Sequence, residues 1–288
     1  MSRRALLISG PTASGKTALA LAEAAKGGMI VNADASQVYD GWRVLTARPS
    51  QEEEAAVPHR LFGHVDAARR YSVGDWLRDV AAALAEARAN DLRPIIVGGT
   101  GLYFTALTEG LADIPPPPES VRREVAERLE TEGLGALVAD LSARDPDTAA
   151  ATDLANPMRV TRALEVLAAT GRGLSSWRAE TPPPLIESAD RLLILPDRAA
   201  LYARCDARFD AMIAAGALEE AQAMQARKLD PILPSMKAIG APALMAHLRG
   251  EITLSEAAEQ AKQATRNYAK RQMTWMRNRM RDWPLAAG

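Results

Sequence analysis

The chain has 288 residues, 48% of them hydrophobic and 25% charged, and its 35 Lys and Arg against 36 Asp and Glu give a formal net charge of -1. That is enough apolar content for a large core, and the neutral total excludes binding to nucleic acid or lipid through overall charge, so any such surface has to be local. A single cysteine excludes an intramolecular disulfide among these residues, and Cys205 shares an apolar helical stripe with Leu201, Phe209 and Met212, the place of a small core residue.

Arg3 and Arg4 followed by the apolar run 5–8 look like the start of a secretory signal, but the run stops at Ser9 and a glycine loop follows. A cytoplasmic protein without a membrane partner is therefore expected. The loop is Gly10-Pro11-Thr12-Ala13-Ser14-Gly15-Lys16-Thr17, a match to G-x-x-x-x-G-K-[ST] between a predicted strand and a helix-favouring run at 18–25. In that setting backbone N–H groups turn inward around a phosphate, the helix N-terminus adds partial positive charge, and Lys16 reaches the terminal phosphates. Thr17 offers its hydroxyl to Mg²⁺. A plain glycine turn would account for neither Lys16 nor Thr17.

A second buried strand at 29–31 leads into Asn32-Ala33-Asp34-Ala35-Ser36-Gln37. Ligands in an open parallel sheet bind beyond the carboxyl ends of the strands, so Asp34 is expected across the crevice from the phosphate loop, as metal ligand, general base or simple turn residue. Residues 40–75 show weak periodicity, and His59 and His64 are too isolated for metal ligands. A helix over 73–89 then precedes a third strand ending in Gly98-Gly99-Thr100-Gly101, a second glycine loop predicted to turn its amides and the Thr100 hydroxyl into the same crevice.

Four prolines, 115–118, interrupt the pattern, and the chain reads as helical to Pro184. Asn156-Pro157 opens one of these helices and Gly171 closes it, with Val160, Ala163, Leu164 and Leu167 on one face and Arg159 and Arg162 on the other. A strand at 192–195 and a helix capped by Asp197 resume the core, and Arg204 and Arg208 are placed four apart on that helix. Thr253 to Glu256 forms a capping box for a long last helix. Along it Lys262, Arg266, Lys270, Arg277 and Arg281 fall within an arc of about 100°. No acid intervenes between Glu259 and Asp282, and Tyr268 and Trp275 interleave with the stripe, which favours a phosphate-rich partner. The fold expected is α/β, a P-loop (NTPase-like) parallel sheet flanked by helices, residues 1–110 with 186–288, and an inserted all-helical subdomain at 111–185.

Taken in order, GPTASGKT, NADASQVYDG, TARP, PHRL, YSVGDW, IIVGGTGLY, NPMRVTRALEV, LPSMKAIG and ATRNYAKRQMTWMR resemble the bacterial tRNA dimethylallyltransferases of the IPP transferase family, over nearly the whole chain. The resemblance implies transfer of a dimethylallyl group from dimethylallyl diphosphate to N6 of the adenosine immediately 3′ of the tRNA anticodon. It also implies Mg²⁺ as cofactor, and a monomer is expected. By resemblance Asp34 is the general base, Thr100 and Arg208 serve catalysis beside it, and Gly10 to Thr17 hold the diphosphate. The tRNA-contacting positions map onto Asp34, Ala35, Ser36, Gln37, Thr100, Arg122, Met158, Arg159, Val160, Thr161, Arg162, Lys270, Arg271, Gln272 and Arg277. The sequence departs from the family pattern at Ala35, at Leu45 where glycine is usual, at Gly63-His64 and at Ala241-Pro242. A small-molecule or nucleoside kinase would use the same loop, but would have no need of the basic last helix. A non-catalytic RNA-binding module would leave the phosphate loop and Asp34 without purpose.

Overall fold

The computed structural model describes residues 3–286. Five parallel strands, β1 (Ala5–Ser9), β2 (Gly28–Asn32), β3 (His59–Arg60), β4 (Arg93–Gly98) and β5 (Ala189–Leu193), lie in the order β3-β2-β4-β1-β5. Every residue of β1 and β2 is buried. That is why they are unbroken apolar runs rather than alternating ones: helices cover both faces of a parallel sheet.

The two faces are still distinct, because side chains alternate along each strand. Leu6, Ile8, Ile30, Ile95 and Val97 pack with Ala20 and Ala24 of α1 (Lys16–Ala24). Leu7, Met29, Val31 and Ile96 face Trp76 and Val80 of α3 (Val73–Ala89), Phe104 and Leu107 of α4 (Gly101–Glu109), and Met276 of α12 (Leu254–Arg279). The short α2 (Gln51–Ala56) opens on a Ser50 capping box, and the two-residue β3 adds an edge strand within the stretch whose periodicity predicted nothing.

β5 begins three residues before the expected 192, in register with β1 from Ala5 opposite Ala189. It is the other edge strand, so Asp190 and Arg191 are tolerated there. Asp190 pairs with Arg93 and, at 3.4 Å, with Arg4. From β5 the chain enters α9 (Arg198–Ala214), capped by the Asp197 carboxylate, then α10 (Ala217–Ala226) and α11 (Ala241–Leu248). These pack around Phe209, Ala221, Met224 and Leu244 as a separate apolar cluster that also holds Trp42 and Leu45.

The residues divide into two compact units, one running to Thr108 and resuming at Ile186, the other Glu109–Leu185. The second contains α5 (Glu119–Arg144), α6 (Pro146–Ala150), α7 (Pro157–Thr170) and α8 (Leu174–Ala179). α5 is broken at Gly133, whose φ of 79° and ψ of 169° are not helical. Its core is Leu137 and Leu141 of α5 against Val160, Ala163, Leu164 and Val166 of α7. Asn156 caps α7 at the amides of Met158 and Arg159, and Gly171 closes it in the left-handed conformation.

Candidate active site

Strands β1, β2 and β4 end side by side, so the loops that leave their carboxyl ends meet at one edge of the sheet. Residues 10–15 wind from β1 into α1, with Gly15 at a φ of +91°, a left-handed turn that a side chain would strain. No side chain caps α1, which leaves the amides of its first turn directed into the loop. Ser14 is buried, and its Oγ has no hydrogen-bond partner among the described residues. Lys16 Nζ donates to the Pro11 carbonyl at 3.2 Å.

Beside this loop is a cavity of about 400 Å³. Thr12 to Thr17, Asp34, Ser36, Gln37 and Arg208 form its polar lining, while Leu21, Leu45, Phe209, Met212 and Ile239 make it apolar elsewhere, with Tyr268 and Cys205 also in the wall. Burial brings the Lys16 ammonium down to about 8, an effect opposed by the Asp34 carboxylate and reinforced by the Arg208 guanidinium. The same burial lowers Arg208, again against the pull of Asp34. Two cations, Lys16 and Arg208, thus stand with the Asp34 carboxylate at one end of the cavity, whose lining also includes Glu53, and preorganised cations of this kind stabilise added anionic charge. Arg204 is exposed and does not line the cavity, so of the pair placed four apart on α9 only Arg208 belongs to it.

Asp34 is 7% exposed and held by its own turn. Its Oδ1 accepts from the Ser36 amide at 3.0 Å and the Ser36 hydroxyl at 2.6 Å, while its amide donates to Asn32 Oδ1 at 2.8 Å. Oδ2 takes no part in that turn. Ser36 therefore orients the carboxylate from two positions further along the chain. Thr100 Oγ1 accepts from the Ala35 amide at 2.9 Å, tying the β2 and β4 loops together. Tyr268, raised chiefly by burial and also by Asp34, has the Thr100 and Gln272 side chains as hydrogen-bonding neighbours. Its spacing marked it only as an aromatic within a basic stripe; the structure brings it into the cavity.

The second glycine loop does not cradle a ligand with its amides. Thr100 N donates to Ala33 O at 3.1 Å, and the loop is covered by α12. A Cβ at Gly99 would lie 2.2 Å from Gln272 Nε2, and one at Gly101 2.4 Å from the Trp275 ring, so these glycines are there for close packing. Gln272, expected at the tRNA, is buried: its Oε1 accepts from Thr12 N and its Nε2 donates to Gly99 O, both at 2.9 Å. It clamps the two loops from inside.

The basic stripe of α12 is also divided by its surroundings. Lys262 pairs with Asp210 at 2.7 Å and Arg266 with both oxygens of Asp206 at 2.7 Å, acids supplied by α9 that a helical projection of α12 alone does not show. Lys270, Arg271 and Arg277 remain exposed, and Arg271 lies over the Tyr268 ring at 5.7 Å. Arg281 falls beyond the helix, its Nε on the Arg277 carbonyl. In the helical unit Arg159 is exposed and 3.3 Å from Asp153, and Met158 is 76% exposed. Arg162 is lowered chiefly by burial, an effect opposed by Glu165 and reinforced by Arg122. Val160 is fully buried and Thr161 nearly so, which removes both side chains from the expected tRNA surface: they belong to the face that α7 packs on its own core.

The site thus places a phosphate cradle, an apolar wall and a carboxylate in one cavity of a P-loop α/β protein, which defines the class as an enzyme that acts on a phosphorylated substrate. The family model described as IPP transferase matches residues 37–279. A tRNA dimethylallyltransferase of Cereibacter sphaeroides is 61% identical over 98% of this chain and 88% of its own length, and one of Bradyrhizobium is 56% identical over 97% and 93%. Among solved structures, a eukaryotic dimethylallyltransferase acting on tRNA superposes with a TM-score of 0.81 at 28% identity, covering 96% of this chain and 70% of that one. The full-length tRNA isopentenylpyrophosphate transferase of Bacillus halodurans gives 0.67 at 33% identity over 99% and 90%. The chain belongs to the IPP transferase family, and it is an enzyme of prenyl transfer rather than a kinase.

Proposed function

We propose that this enzyme transfers the dimethylallyl group of dimethylallyl diphosphate to N6 of the adenosine immediately 3′ of the anticodon in tRNA, releasing diphosphate. The observation that carries this is the single cavity in which Lys16, Arg208 and the phosphate loop stand beside Asp34 and an apolar wall. The loop amides, Lys16 and Arg208 hold the diphosphate. As the bond from the allylic carbon to its oxygen breaks, the leaving group gains charge, and these groups stabilise it in place.

Adenine's exocyclic nitrogen attacks poorly because its lone pair is delocalised into the ring, so it has to be aligned with the allylic carbon and relieved of a proton as the new bond forms. Asp34, with one oxygen held by Ser36, takes that proton. Thr100 and Tyr268 lie beside it and orient the acceptor. A base stacked in the anticodon loop cannot enter such a cavity unless it is extruded and its flanking backbone gripped. Lys270, Arg271 and Arg277 of α12 serve as that grip; in the helical unit Arg122, Arg159 and Arg162 are the cations available to tRNA phosphates.

Mg²⁺ fits the same chemistry. The nearby donors are hard oxygens, the Thr17 hydroxyl, the Ser14 Oγ without a partner and Asp34, and this ion is ordinarily held by few protein ligands together with substrate phosphates. Bound there by Thr17, it would neutralise charge on the diphosphate. The enzyme is proposed to act as a monomer in the cytoplasm; among the described residues no helix is long and apolar enough to cross a membrane.

Incubating the protein with labelled dimethylallyl diphosphate and tRNA, then digesting to nucleosides, should place the label on a single modified adenosine. Label that stays in the donor, together with stabilisation by ATP and not by dimethylallyl diphosphate in a melting experiment, would refute the proposed reaction.

A further inference from the structure

The cavity has a part that neither phosphate binding nor proton transfer uses. Phe209 follows Arg208 on α9, and Met212 lies one turn further along, about 5.4 Å on. With Ile239 and Leu45 they form an apolar wall. Leu45 is only 5% exposed, and its Cδ1 and Phe209 Cε2 close over Gly240, where a Cβ would meet them at 3.3 and 3.1 Å. Behind the wall is the packed cluster of α9 to α12, so it has little room to give way.

The backbone that carries Leu45 is held with unusual thoroughness. The half-buried Glu220 carboxylate of α10 accepts from three successive amides, Arg43 at 2.5 Å, Val44 at 2.9 Å and Leu45 at 2.9 Å. Charge-assisted bonds of this kind are the stronger ones. Gln37 Nε2 donates to the Thr46 and Ala47 carbonyls at 2.8 Å, and Trp42 Nε1 to Ser235 O at 2.9 Å. Glu220 does not line the cavity, and it supplies the acceptor that these three amides require next to the buried Trp42 and Leu45. What the arrangement fixes is the position of the Leu45 side chain against Phe209.

Resting on the proposed donor, we infer that Leu45, positioned by Glu220, restricts the hydrocarbon chain of the donor to a single isoprene unit. A chain with five further carbons has to displace Leu45. The packing behind it and the Glu220 clamp oppose that displacement, and forcing extra methylenes into a filled core is costly. Glu220 is a positioning residue, and Leu45 is the group that meets the chain.

The test is a competition. Dimethylallyl diphosphate and the ten-carbon geranyl diphosphate are supplied at equal concentration with tRNA, and the five- and ten-carbon nucleosides are weighed against each other by mass spectrometry. Both products come from the same folded molecules, so a partial loss of stability cancels from the ratio. The wild type should give the five-carbon product in large excess. Leu45→Ala should raise the ten-to-five ratio at least about tenfold, the order expected for space opened in a hydrophobic pocket. Leu45→Val should raise it less and guards against a variant that fails to fold, while the volume-conserving Leu45→Met should stay near wild type. Glu220→Gln, similar in volume but without the charge, should shift the ratio in the same direction as Leu45→Ala. A ratio unchanged by Leu45→Ala and Leu45→Val, or a wild type that accepts both donors equally, overturns the inference. So does a raised KM for tRNA at constant ratio, which would assign the wall to the acceptor base. Absence of five-carbon product from the wild type would instead overturn the underlying reaction.

Discussion

The phosphate loop and the last helix carry the two sets of cations that matter here, and they obey different rules. In the loop, the features that bring Lys16 to the phosphate site are set within a turn or two of chain: the left-handed Gly15, the uncapped start of α1, Lys16 reaching back to Pro11. Along α12 the cations are sorted by a partner 60 residues away, since Asp206 of α9 takes Arg266. Asp210 takes Lys262 in the same way, while Lys270, Arg271 and Arg277 stay exposed. Charge created by a local motif survives folding; charge counted along a helix survives only where no other element answers it.

The sharpest way to break the comparison is at Asp34, the acid that acts on both of the cavity's cations, Lys16 and Arg208. As general base it acts only during transfer, so Asp34→Asn should leave the binding of both substrates intact while kcat falls by roughly a hundred- to ten-thousand-fold. Asparagine still accepts from Ser36 and keeps the turn, so the melting temperature should hardly move. Rates measured against Mg²⁺ concentration decide the role: recovery of wild-type kcat at high Mg²⁺ would make Asp34 a metal ligand instead.

Lys16→Ala tests the loop itself. Removing one preorganised cation from the leaving group should cost about 3–4 kcal/mol in the transition state, read as a fall in kcat with donor at saturation. Because burial brings Lys16 to about 8, the free enzyme loses this cation as the pH rises through that value. kcat/KM for the donor should therefore decline above about pH 8, whereas the descending limb of kcat lies higher, since bound diphosphate favours the protonated amine. Near-normal kcat in the alanine variant, or a flat profile through that range in the wild type, would remove Lys16 from the role.

Much of this was legible in the sequence, and where it was not the reason is physical. The strand-to-helix setting of GPTASGKT, the Asp197 and Thr253 caps and the Asn156 to Gly171 helix depend on contacts within a few residues, so their pattern is enough. The second glycine loop has the same local signature as the first, yet its glycines answer to Gln272 and Trp275, which lie more than 170 positions further along the chain. Tyr268, Leu45 and Met212 stand in the sequence as an aromatic within a basic stripe, a departure from the family pattern and a member of an apolar stripe, and they reach the cavity only because α9, α12 and the 42–48 turn converge on it. The family resemblance supplied Gln272 as a site position without its job. Its burial between the two loops makes it a clamp.

Gln272→Ala should expose how far the two loops depend on that clamp. The substitution frees Thr12 N and Gly99 O and empties a buried volume beside them, a loss of about 1–3 kcal/mol for each buried polar group left unpaired. The melting temperature should fall by several degrees and KM for the donor should rise, with a smaller effect on kcat at saturation. A variant with unchanged stability and a selective defect in tRNA binding would return Gln272 to the nucleic-acid surface.

The smallest effects come from single cations on α12, and they bear most directly on the contrast between local and answered charge. If a cation contacts a tRNA phosphate, its removal lowers the salt dependence of binding by about one unit of log–log slope and weakens binding for all tRNAs alike. Lys270→Ala and Arg277→Ala should each do so while leaving donor affinity untouched. Lys262→Ala and Arg266→Ala should not, because their charge is already spent on Asp210 and Asp206. What these two should change is stability, and only modestly, since half-exposed ion pairs contribute about 0–1 kcal/mol. All four residues look alike in a helical projection of the sequence. A salt slope that falls equally in all four variants would mean that the acids of α9 release their partners when tRNA binds, so that the whole stripe, not only its exposed half, meets the nucleic acid.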